Sequence, residues 1–414
     1  MQSAAALDLP YLAMDEDAFS ADPMPHFEAA RARHPWLARW LYGYVITDYQ
    51  AMRDLFKEEE KMGAPYGNIA ELMGAEGTPW GRFQENHLLN QSGASHKRIR
   101  DILAPFFTPR QANLHRPLMR EVIAQLLDEW APRRAFDFEE FASYFPITVM
   151  CRLIGASPSA IPSLRSAMEA IGLSTSMDKS WLPAMQEGVV TMETFVEQLI
   201  AQRRTEGNAA AEPDLLDLLL GTQDRGELSQ RELIDLLIFL FVAGYDTSKN
   251  MLTLTMRLLV NEPEKYRRCG EDLDYARATV TESFRFFSTA SAQRLLKEDV
   301  VYRDVLLEKD SVVLFPLSVA NHDPRYADDP DSFEPERAQK HSHIGFGLGA
   351  HICLGQYIAR TQIEEGLHLI AQRLLNPRSP GPKAWRPFPG TWGVRGLPIE
   401  FDVAGADARE PVSA

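Results

Sequence analysis

The sequence predicts a mainly α-helical fold with a few short β-strands. Four segments repeat apolar residues near the 3.6-residue period of a helix, namely 120–130, 194–204, 230–260 and 356–375. The clearest strand-like segments, rich in β-branched and aromatic residues, are 42–47, 299–307 and 311–320. No internal repeat and no shift in composition marks a domain boundary. We therefore expect one domain over residues 1–414, with loose termini at about 1–15 and 404–414.

Composition and charge exclude several classes of protein. The 414-residue chain is 45% hydrophobic and 24% charged, which is ordinary for a globular protein. Its net charge of −15 repels polyanions, so nucleic acid and anionic membranes are not expected partners. The N-terminus has no signal-peptide pattern, and the longest apolar run, 236–244, is shorter than the roughly 20 residues of a spanning helix. We expect a cytoplasmic monomer.

The three cysteines do not form a disulfide framework or a cysteine-rich zinc site, because no CxxC spacing occurs. Cys151 is predicted to be a small buried hydrophobe, and Cys269 a surface or helix-end residue. Cys353 differs from both, since it lies in the glycine-rich stretch GFGLGAHICLG at 345–355. A segment without periodicity, 321–345, precedes it, and a loop of that length in a compact protein is usually functional.

One interpretation of the glycine-rich stretch is a dinucleotide-binding turn. Gly345, Gly347 and Ala350 satisfy G-x-G-x-x-A, and Glu364 and Glu365 follow about 20 residues later. That motif requires a buried strand immediately upstream, whereas the preceding sequence is RAQKHSHI. The polar context disfavours this interpretation.

The second interpretation is a thiolate ligand to haem iron. A cysteine in this role must be deprotonated and held against the face of the porphyrin. Glycines at 345, 347, 349 and 355 would let the backbone approach a planar ligand closely. The amphipathic helix that begins directly after the loop favours an anionic sulfur through its N-terminal dipole.

The stretch FGLGAHICLG resembles the cysteine-ligand loop of the cytochrome P-450 family, F-x-x-G-x-(H/R)-x-C-x-G. Phe346, Gly349, His351, Cys353 and Gly355 match the pattern. The resemblance implies haem b (iron protoporphyrin IX) with the Cys353 thiolate as its axial ligand. The competing explanation is a plain turn with a buried thiol, so other parts of the chain are needed to decide.

Glu282 and Arg285 in VTESFRFF would ordinarily be a surface ion pair at i,i+3 on a helix, worth about 0.2–0.5 kcal/mol. The stretch is similar to the ExxR pair of the family. FEPER at 333–337 resembles the segment whose arginine, here Arg337, completes that network. The resemblance implies that the three residues hold the irregular segment before Cys353 in place.

AGYDT at 243–247 interrupts the most apolar helix with a carboxylate and a hydroxyl. A helix end with capping residues is the simple explanation, but the helical pattern continues through MLTLTMRLLV. The stretch is similar to the A-G-x-(D/E)-T motif of the family, matched by Ala243, Gly244, Asp246 and Thr247. The resemblance implies space for dioxygen beside the two small residues and proton delivery by Asp246 and Thr247.

SHKRIR at 95–100 places His96 and Arg100 on one helical face, which is most often an exposed basic surface. The pair resembles the H-x-x-x-R of the family's haem-propionate helix. Arg294 and His351 fall at the other propionate-binding positions, so four donors would face two carboxylates.

The four motifs, in order across residues 40–400, imply a mainly α cytochrome P-450 fold: a helical bundle around haem, with small β-sheets. The implied function is hydroxylation of a small-to-medium hydrophobic substrate (terpenoid, aromatic or steroid-like) with dioxygen and two electrons. A separate ferredoxin and ferredoxin reductase are expected as electron donors. Lys97, Arg98 and Arg360 are either a basic patch on which the ferredoxin docks or solvated side chains, with equal weight. Alternatives are a peroxide-driven peroxygenase and a non-catalytic haem-binding protein, both disfavoured by the Asp246–Thr247 pair.

The family positions also predict a substrate pocket. Its wall is expected to contain Phe239, Val242, Thr289, Ala290, Thr391 and Trp392. A mobile lid is expected from the glycine-rich segment 61–90, which carries Tyr66, Trp80 and Phe83. An apolar wall with a few hydroxyl groups suits a hydrophobic molecule with one polar group.

Overall fold

The computed structural model describes residues 1–208, 212–325, 328–338 and 341–403. Helices dominate this part of the chain, and the predicted mainly α fold class is confirmed. The α-helices are α1 (Asp17–Ala21), α2 (Met24–Arg33), α3 (Tyr49–Leu55), α4 (Tyr66–Met73), α5 (Pro79–Asn86), α6 (Gly93–Leu103), α7 (Pro109–Leu114), α8 (Arg116–Trp130), α9 (Phe138–Ile154), α10 (Ile161–Ile171), α11 (Leu182–Glu206), α12 (Leu215–Asp224), α13 (Gln230–Leu259), α14 (Pro263–Glu271), α15 (Leu273–Phe286), α16 (Leu317–Asn321) and α17 (Gln356–Arg373).

The strands are short and form small sheets at the edges of the helical body. They are β1 (Gln2–Ser3), β2 (Leu37–Trp40), β3 (Gly43–Ile46), β4 (Met62–Gly63), β5 (Ala135–Asp137), β6 (Ser291–Leu296), β7 (Val300–Tyr302), β8 (Val305–Leu307), β9 (Val312–Pro316), β10 (Leu374–Arg378), β11 (Ala384–Trp385), β12 (Val394–Arg395) and β13 (Pro398–Val403). The largest sheet has the order β2-β3-β9-β6-β4; the others are β1-β8-β7, β10-β13-β5 and β11-β12.

Two predicted strands are shorter than the sequence pattern suggested. The segment 299–307 is a hairpin of β7 and β8, whose two-residue turn places Arg303 and Asp304 at positive φ (45° and 64°). The segment 311–320 is a strand only as far as Pro316, which has no N–H for a strand ladder, and then continues as α16.

The N-terminal segment differs from the expectation of a loose stretch at 1–15. Strand β1 pairs in parallel with β8, matching Gln2 to Val305. Leu9, Leu12 and Met14 are buried in the hydrophobic core. The burial of these apolar side chains stabilises the packing of the N-terminal segment against the rest of the fold. The other predicted loose end, 404–414, lies outside the described residues.

Helix α13 is the central element of the fold. Ser229 and Glu232 cap its N-terminus in a reciprocal capping box, and the helix continues without interruption through the AGYDT stretch. It packs against α9, α10, α11 and α17, and nearly every side chain in its second half is buried. Among the described residues, no helix combines the length and apolar character needed to cross a bilayer.

Two cysteines are structural residues. Cys151 is buried in α9, as predicted, and burial raises its thiol pKa to about 12. Cys269 lies near the end of α14 but is also fully buried, where its thiol contacts Thr279 Oγ1 at 3.4 Å. The expectation of a surface position for Cys269 is therefore wrong, because α17 covers this turn of α14.

Candidate active site

A cavity of about 380 Å³ lies between α13, the start of β6 and the glycine-rich cysteine loop. Most of the side chains predicted for the site line it: His96, Arg100, Phe239, Val242, Ala243, Gly244, Asp246, Thr247, Thr289, Ala290, Arg294, Phe346, His351, Cys353, Gly355 and Thr391. These residues are brought together from five separate segments of the chain.

The cysteine loop presents Cys353 to this cavity. The backbone N–H of Cys353 donates to the Phe346 carbonyl at 2.9 Å, which closes the loop, and Gly347 has a φ of 74°. Burial raises the pKa of the Cys353 thiol, whereas the Gly355 N–H and the nearby Arg100 guanidinium lower it. Helix α17 begins immediately after Gly355. No strand lies immediately before the loop among the described residues, where α16 and irregular backbone follow β9, and this contradicts the dinucleotide interpretation.

Gly349, which was predicted to contact the cofactor, does not line the cavity. It lies in a short 3₁₀ turn, Gly349–His351, with a φ of 71°. A Cβ at this position would overlap the Glu59 carboxylate, which accepts the Ala350 N–H at 2.7 Å. Gly349 is needed for the shape of the loop.

The Glu282–Arg285 pair of α15 is buried, with Glu282 only 1% exposed. Arg285 donates from Nε and Nη2 to the two oxygens of Glu282, at 2.9 and 2.7 Å. It also donates to the backbone carbonyls of Asn321, Pro330 and Ser332. This one guanidinium therefore ties α15 to the irregular segment that leads to Cys353.

Arg337 joins the same network from the irregular segment. Its Nε lies 3.4 Å from Glu282 Oε1, and its Nη2 donates to the Ser332 carbonyl at 2.9 Å. The Glu334 N–H donates to the same Glu282 oxygen at 3.0 Å. Glu282 thus accepts from three directions, which satisfies a charge that would otherwise be costly to bury.

Asp246 and Thr247 lie on the cavity side of α13. Thr247 Oγ1 donates to the Ala243 carbonyl one turn earlier, at 3.0 Å. The Asp246 carboxylate is buried and lies next to Gly172, where a Cβ would come within 2.4 Å of Asp246 Oδ2. Gly244 allows close packing of α9, because a Cβ there would lie 2.6 Å from Met150 Sδ.

Comparison with known proteins identifies the family. The cytochrome P450 family model matches residues 39–375. The chain belongs to the cytochrome P450 family. Curated relatives include the luteothin monooxygenase of Streptomyces thioluteus, 29% identical over 96% of this chain and 97% of the relative, and the pentalenic acid synthase of Streptomyces avermitilis, 29% identical over 92% and 94%. The crystal structure of epothilone B-bound cytochrome P450epoK matches the fold, with a TM-score of 0.84 at 21% identity over 94% of this chain and 99% of that one.

The P450 family implies haem with a cysteine thiolate ligand, and the residues around the cavity fit that group. Arg100 and Arg294 have no carboxylate within ion-pair distance in the described part of the chain, although burial lowers the pKa of both. Arg294 is buried and Arg100 is half-buried, and guanidinium groups in such positions without counterions are unfavourable, so an anionic ligand is expected beside them. The two carboxylates of haem would supply that charge.

The two predicted histidines of this P450 support the same conclusion. The rings of His96 and His351 are 4.1 Å apart, and His96 Nε2 is buried without a hydrogen-bond partner among the described residues. Burial, followed by the neighbouring arginines, lowers the pKa of both, that of His351 to about 3. The two neutral rings would therefore act as hydrogen-bond donors toward haem carboxylates.

Sequence reasoning missed the partners of Asp246. Arg386, in the segment between β11 and β12, donates from Nη2 to Asp246 Oδ2 at 2.6 Å. Lys249 is fully buried, and its Nζ lies 3.2 Å from Asp246 Oδ1, 3.1 Å from Glu139 Oε1 and 3.7 Å from Glu169 Oε1. The lysine one turn after Asp246 was visible in the sequence, but its burial among three carboxylates was not.

One predicted pocket residue is corrected. Trp392 does not line the cavity; its indole Nε1 donates to the Ser20 carbonyl at 2.8 Å, and its ring stacks on Trp385. Its backbone N–H donates to the Thr289 carbonyl at 2.8 Å, so Trp392 supports the backbone of a residue that lines the cavity. Adjacent residues of an extended segment point in opposite directions, and it is Thr391 that lines the cavity.

Proposed function

We propose that this P450 is a haem-thiolate monooxygenase that hydroxylates a small-to-medium hydrophobic substrate with dioxygen and two electrons from a separate ferredoxin and reductase. The observation that carries the proposal is the position of Asp246 and Thr247 on the cavity wall that also contains Cys353. A group that binds dioxygen at the cysteine loop would thus have a carboxyl and a hydroxyl group beside it.

Residues of this chain have distinct roles in the proposal. Cys353 would hold the haem iron, while His96, Arg100, Arg294 and His351 would hold the haem carboxylates. Haem with a thiolate ligand supplies the activation of dioxygen and the insertion of one oxygen atom into a C–H bond.

Asp246 and Thr247 would deliver protons into the cavity that Cys353 also lines. Two cations hold the Asp246 carboxylate, Arg386 at Oδ2 and Lys249 at Oδ1. Glu169 contacts Lys249 on its other side and is 40% exposed at its side chain, so this network reaches from the cavity toward solvent. Thr247 Oγ1, which donates to a carbonyl of its own helix, can rotate to donate into the cavity instead.

The substrate we propose is a terpenoid, an aromatic compound or a steroid-like molecule. Aromatic and aliphatic side chains dominate the part of the cavity wall formed by α5 and α13, with Phe83, Phe239, Leu240 and Val242 among them. The relatives whose names mention pentalenic acid and epothilone B are in keeping with carbon-rich substrates.

Electron donors are proposed to be separate proteins. Of the three predicted docking residues, Lys97 pairs with Asp101 at 2.5 Å and Arg98 pairs with Glu232. These contacts compensate part of the positive charge, so a ferredoxin would need to compete for Lys97 and Arg98. We retain Arg360, which lies over the Phe346 ring of the cysteine loop at 5.9 Å, as the third member of the patch.

The alternatives are a peroxide-driven peroxygenase and a haem protein without catalysis. Neither function requires a buried carboxylate supported by two cations on the cavity wall. The Asp246 network therefore favours the monooxygenase.

The first test is the absorbance of dithionite-reduced protein with and without carbon monoxide. We expect a Soret band shifted far to the red in the wild type and its loss in Cys353→Ser. A band in the normal position in the wild type would contradict thiolate ligation by Cys353.

The second test compares product formation with ferredoxin, its reductase and NADPH against product formation with hydrogen peroxide alone. Turnover that requires the electron donors supports the monooxygenase. Turnover with peroxide alone would favour the peroxygenase, and none with either would favour the haem-binding protein.

A further inference from the structure

A chain of hydrogen bonds in the cavity wall ends on a buried histidine. Trp80 Nε1 donates to Ser174 Oγ at 2.9 Å, and Ser174 Oγ donates to the Ile171 carbonyl at 2.5 Å. Gln84 Nε2 donates to the same Ser174 oxygen at 3.3 Å. The other end of the Gln84 amide, Oε1, lies 3.3 Å from His87 Nε2. Gln84, His87 and Ser174 all line the cavity.

The chemistry of these groups determines which nitrogen of His87 carries the proton. The single hydroxyl proton of Ser174 is committed to the Ile171 carbonyl, so Ser174 Oγ can only accept from the Gln84 amide. The nitrogen of Gln84 therefore faces Ser174, and its oxygen faces His87. Because that oxygen accepts, His87 Nε2 must donate and carries the proton.

The second nitrogen of His87, Nδ1, has no hydrogen-bond partner among the described residues. The residue is only 4% exposed, and burial lowers its pKa to about 3 against a smaller opposing contribution from its own backbone. The ring is therefore neutral near pH 7, and Nδ1 is a bare acceptor. Its neighbours are aromatic: Phe239 stacks at 5.8 Å, and Tyr66 and Phe83 pack at 4.9 and 5.2 Å.

We propose that His87 determines substrate specificity by accepting a hydrogen bond from a hydroxyl or N–H group of an otherwise apolar substrate. This proposal rests on the monooxygenase function. A buried acceptor without a partner is unfavourable, so binding of a donor-bearing molecule gains more than binding of one without a donor. Phe239, on which His87 stacks, precedes Thr247 by eight residues of α13, which is about 12 Å along the helix axis. Probes that reach from the cysteine loop to His87 therefore need chains graded around this length.

Imidazole probes test this proposal without knowledge of the natural substrate. We would measure dissociation constants of 1-(ω-hydroxyalkyl)imidazoles of graded chain length and of their methyl ethers with the haem-loaded protein, by the Soret shift. The imidazole binds iron in every case, so affinity does not depend on His87 alone. At one chain length the alcohol is expected to bind about five- to tenfold more tightly than its ether in the wild type.

Variants separate hydrogen bonding from packing. His87→Phe keeps an aromatic ring on Phe239 and is expected to remove the preference for the alcohol. His115→Phe is the matched control, because the Nε2 atom of His115 is also buried without a hydrogen-bond partner among the described residues, but His115 does not line the cavity. It should keep the preference.

Gln84→Met leaves His87 in place but removes the amide oxygen that keeps the proton on His87 Nε2. Nδ1 can then donate, so ω-keto probes are expected to gain affinity in this variant only. A role of Gln84 in packing alone would not change the ranking of alcohol against ketone.

Equal affinity for alcohol and ether at every chain length in the wild type, or a preference that persists in His87→Phe, would overturn the proposal. The monooxygenase proposal fails differently, by absence of the red-shifted carbon monoxide band. Probes that shift the Soret band without discriminating alcohol from ether therefore refute only the role of His87.

Discussion

Replacing Arg285 by lysine tests whether the buried network of α15 holds the cysteine loop. The guanidinium makes two hydrogen bonds to Glu282 and one each to the carbonyls of Asn321, Pro330 and Ser332. A lysine keeps the positive charge, but its single ammonium group cannot reproduce this planar arrangement. The variant therefore changes geometry with little change in charge.

The expected loss of stability is large because both partners are buried. Lysine has three N–H donors for the five hydrogen bonds of Arg285, so at least two are lost, and at about 1.5–3 kcal/mol each this lowers the free energy of unfolding by about 3–6 kcal/mol. That is a substantial part of the roughly 5–15 kcal/mol of a typical domain. Arg337→Lys is the internal reference, since Arg337 contacts Glu282 only at 3.4 Å and its other hydrogen bonds go to Asp328, Asp329 and Ser332 in a more exposed stretch, and its expected loss is about 1–2 kcal/mol.

Both variants would be haem-loaded and unfolded in urea, with circular dichroism reporting helix content and the carbon monoxide spectrum reporting the Cys353 ligand. We expect Arg285→Lys to lower the urea midpoint far more than Arg337→Lys and to lose the red-shifted band at a lower urea concentration than helix content. A loss in Arg285→Lys no larger than that in Arg337→Lys would refute the reasoning.

Four further outcomes are expected. Thr247→Ala should release hydrogen peroxide in place of product while substrate still binds, measured as peroxide formed per NADPH; unchanged coupling would assign the proton relay to another group. Gly172→Ala should displace the Asp246 carboxylate, since the new Cβ would lie 2.4 Å from it, and uncouple electron use in the same assay, whereas full coupling would show that Asp246 can move freely. The unfolded chain takes up a proton at His87 below pH 6.5, whereas the folded chain does not until about pH 3. The free energy of unfolding should therefore fall by about 2 kcal/mol between pH 6.5 and pH 5, measured by urea unfolding at each pH. His87→Phe should remove this part of the pH dependence. Hydrogen exchange over 61–90 should slow when a spin-shifting ligand binds; identical exchange with and without ligand would contradict a mobile lid.

Features formed by residues close together in sequence could be predicted, because helix and loop geometry alone places those residues in contact. Glu282 and Arg285 are three residues apart on one helix, so their contact follows from helical geometry. The cysteine loop is likewise one continuous stretch, and its glycines indicate a tight backbone. Helix α13 is evident from thirty residues of periodic sequence and a capping box at Ser229 and Glu232.

Other features depend on how distant segments meet. Arg386 lies 140 residues from Asp246, and nothing in its local sequence, AWRPFPG, indicates a carboxylate partner. Trp392 was misassigned because the side of an extended segment that faces the cavity depends on a register that short irregular strands do not specify. The unpartnered acceptor of His87 depends on three side chains, Gln84, His87 and Ser174, from two segments of the chain. No sequence motif links these residues.

The contact of Arg386 has a consequence for how the site forms. Asp246 is on α13, but one of its two cations comes from the segment between β11 and β12, near the end of the described chain. Lys249 is shared among three carboxylates, Glu139, Glu169 and Asp246, so without Arg386 the buried Asp246 would have only this shared cation beside it. Because uncompensated buried charge is strongly destabilising, the carboxylate on α13 and the C-terminal segment stabilise each other. The proposed proton-delivering residue is therefore held in place only when that segment has docked, which makes the site a property of the complete fold.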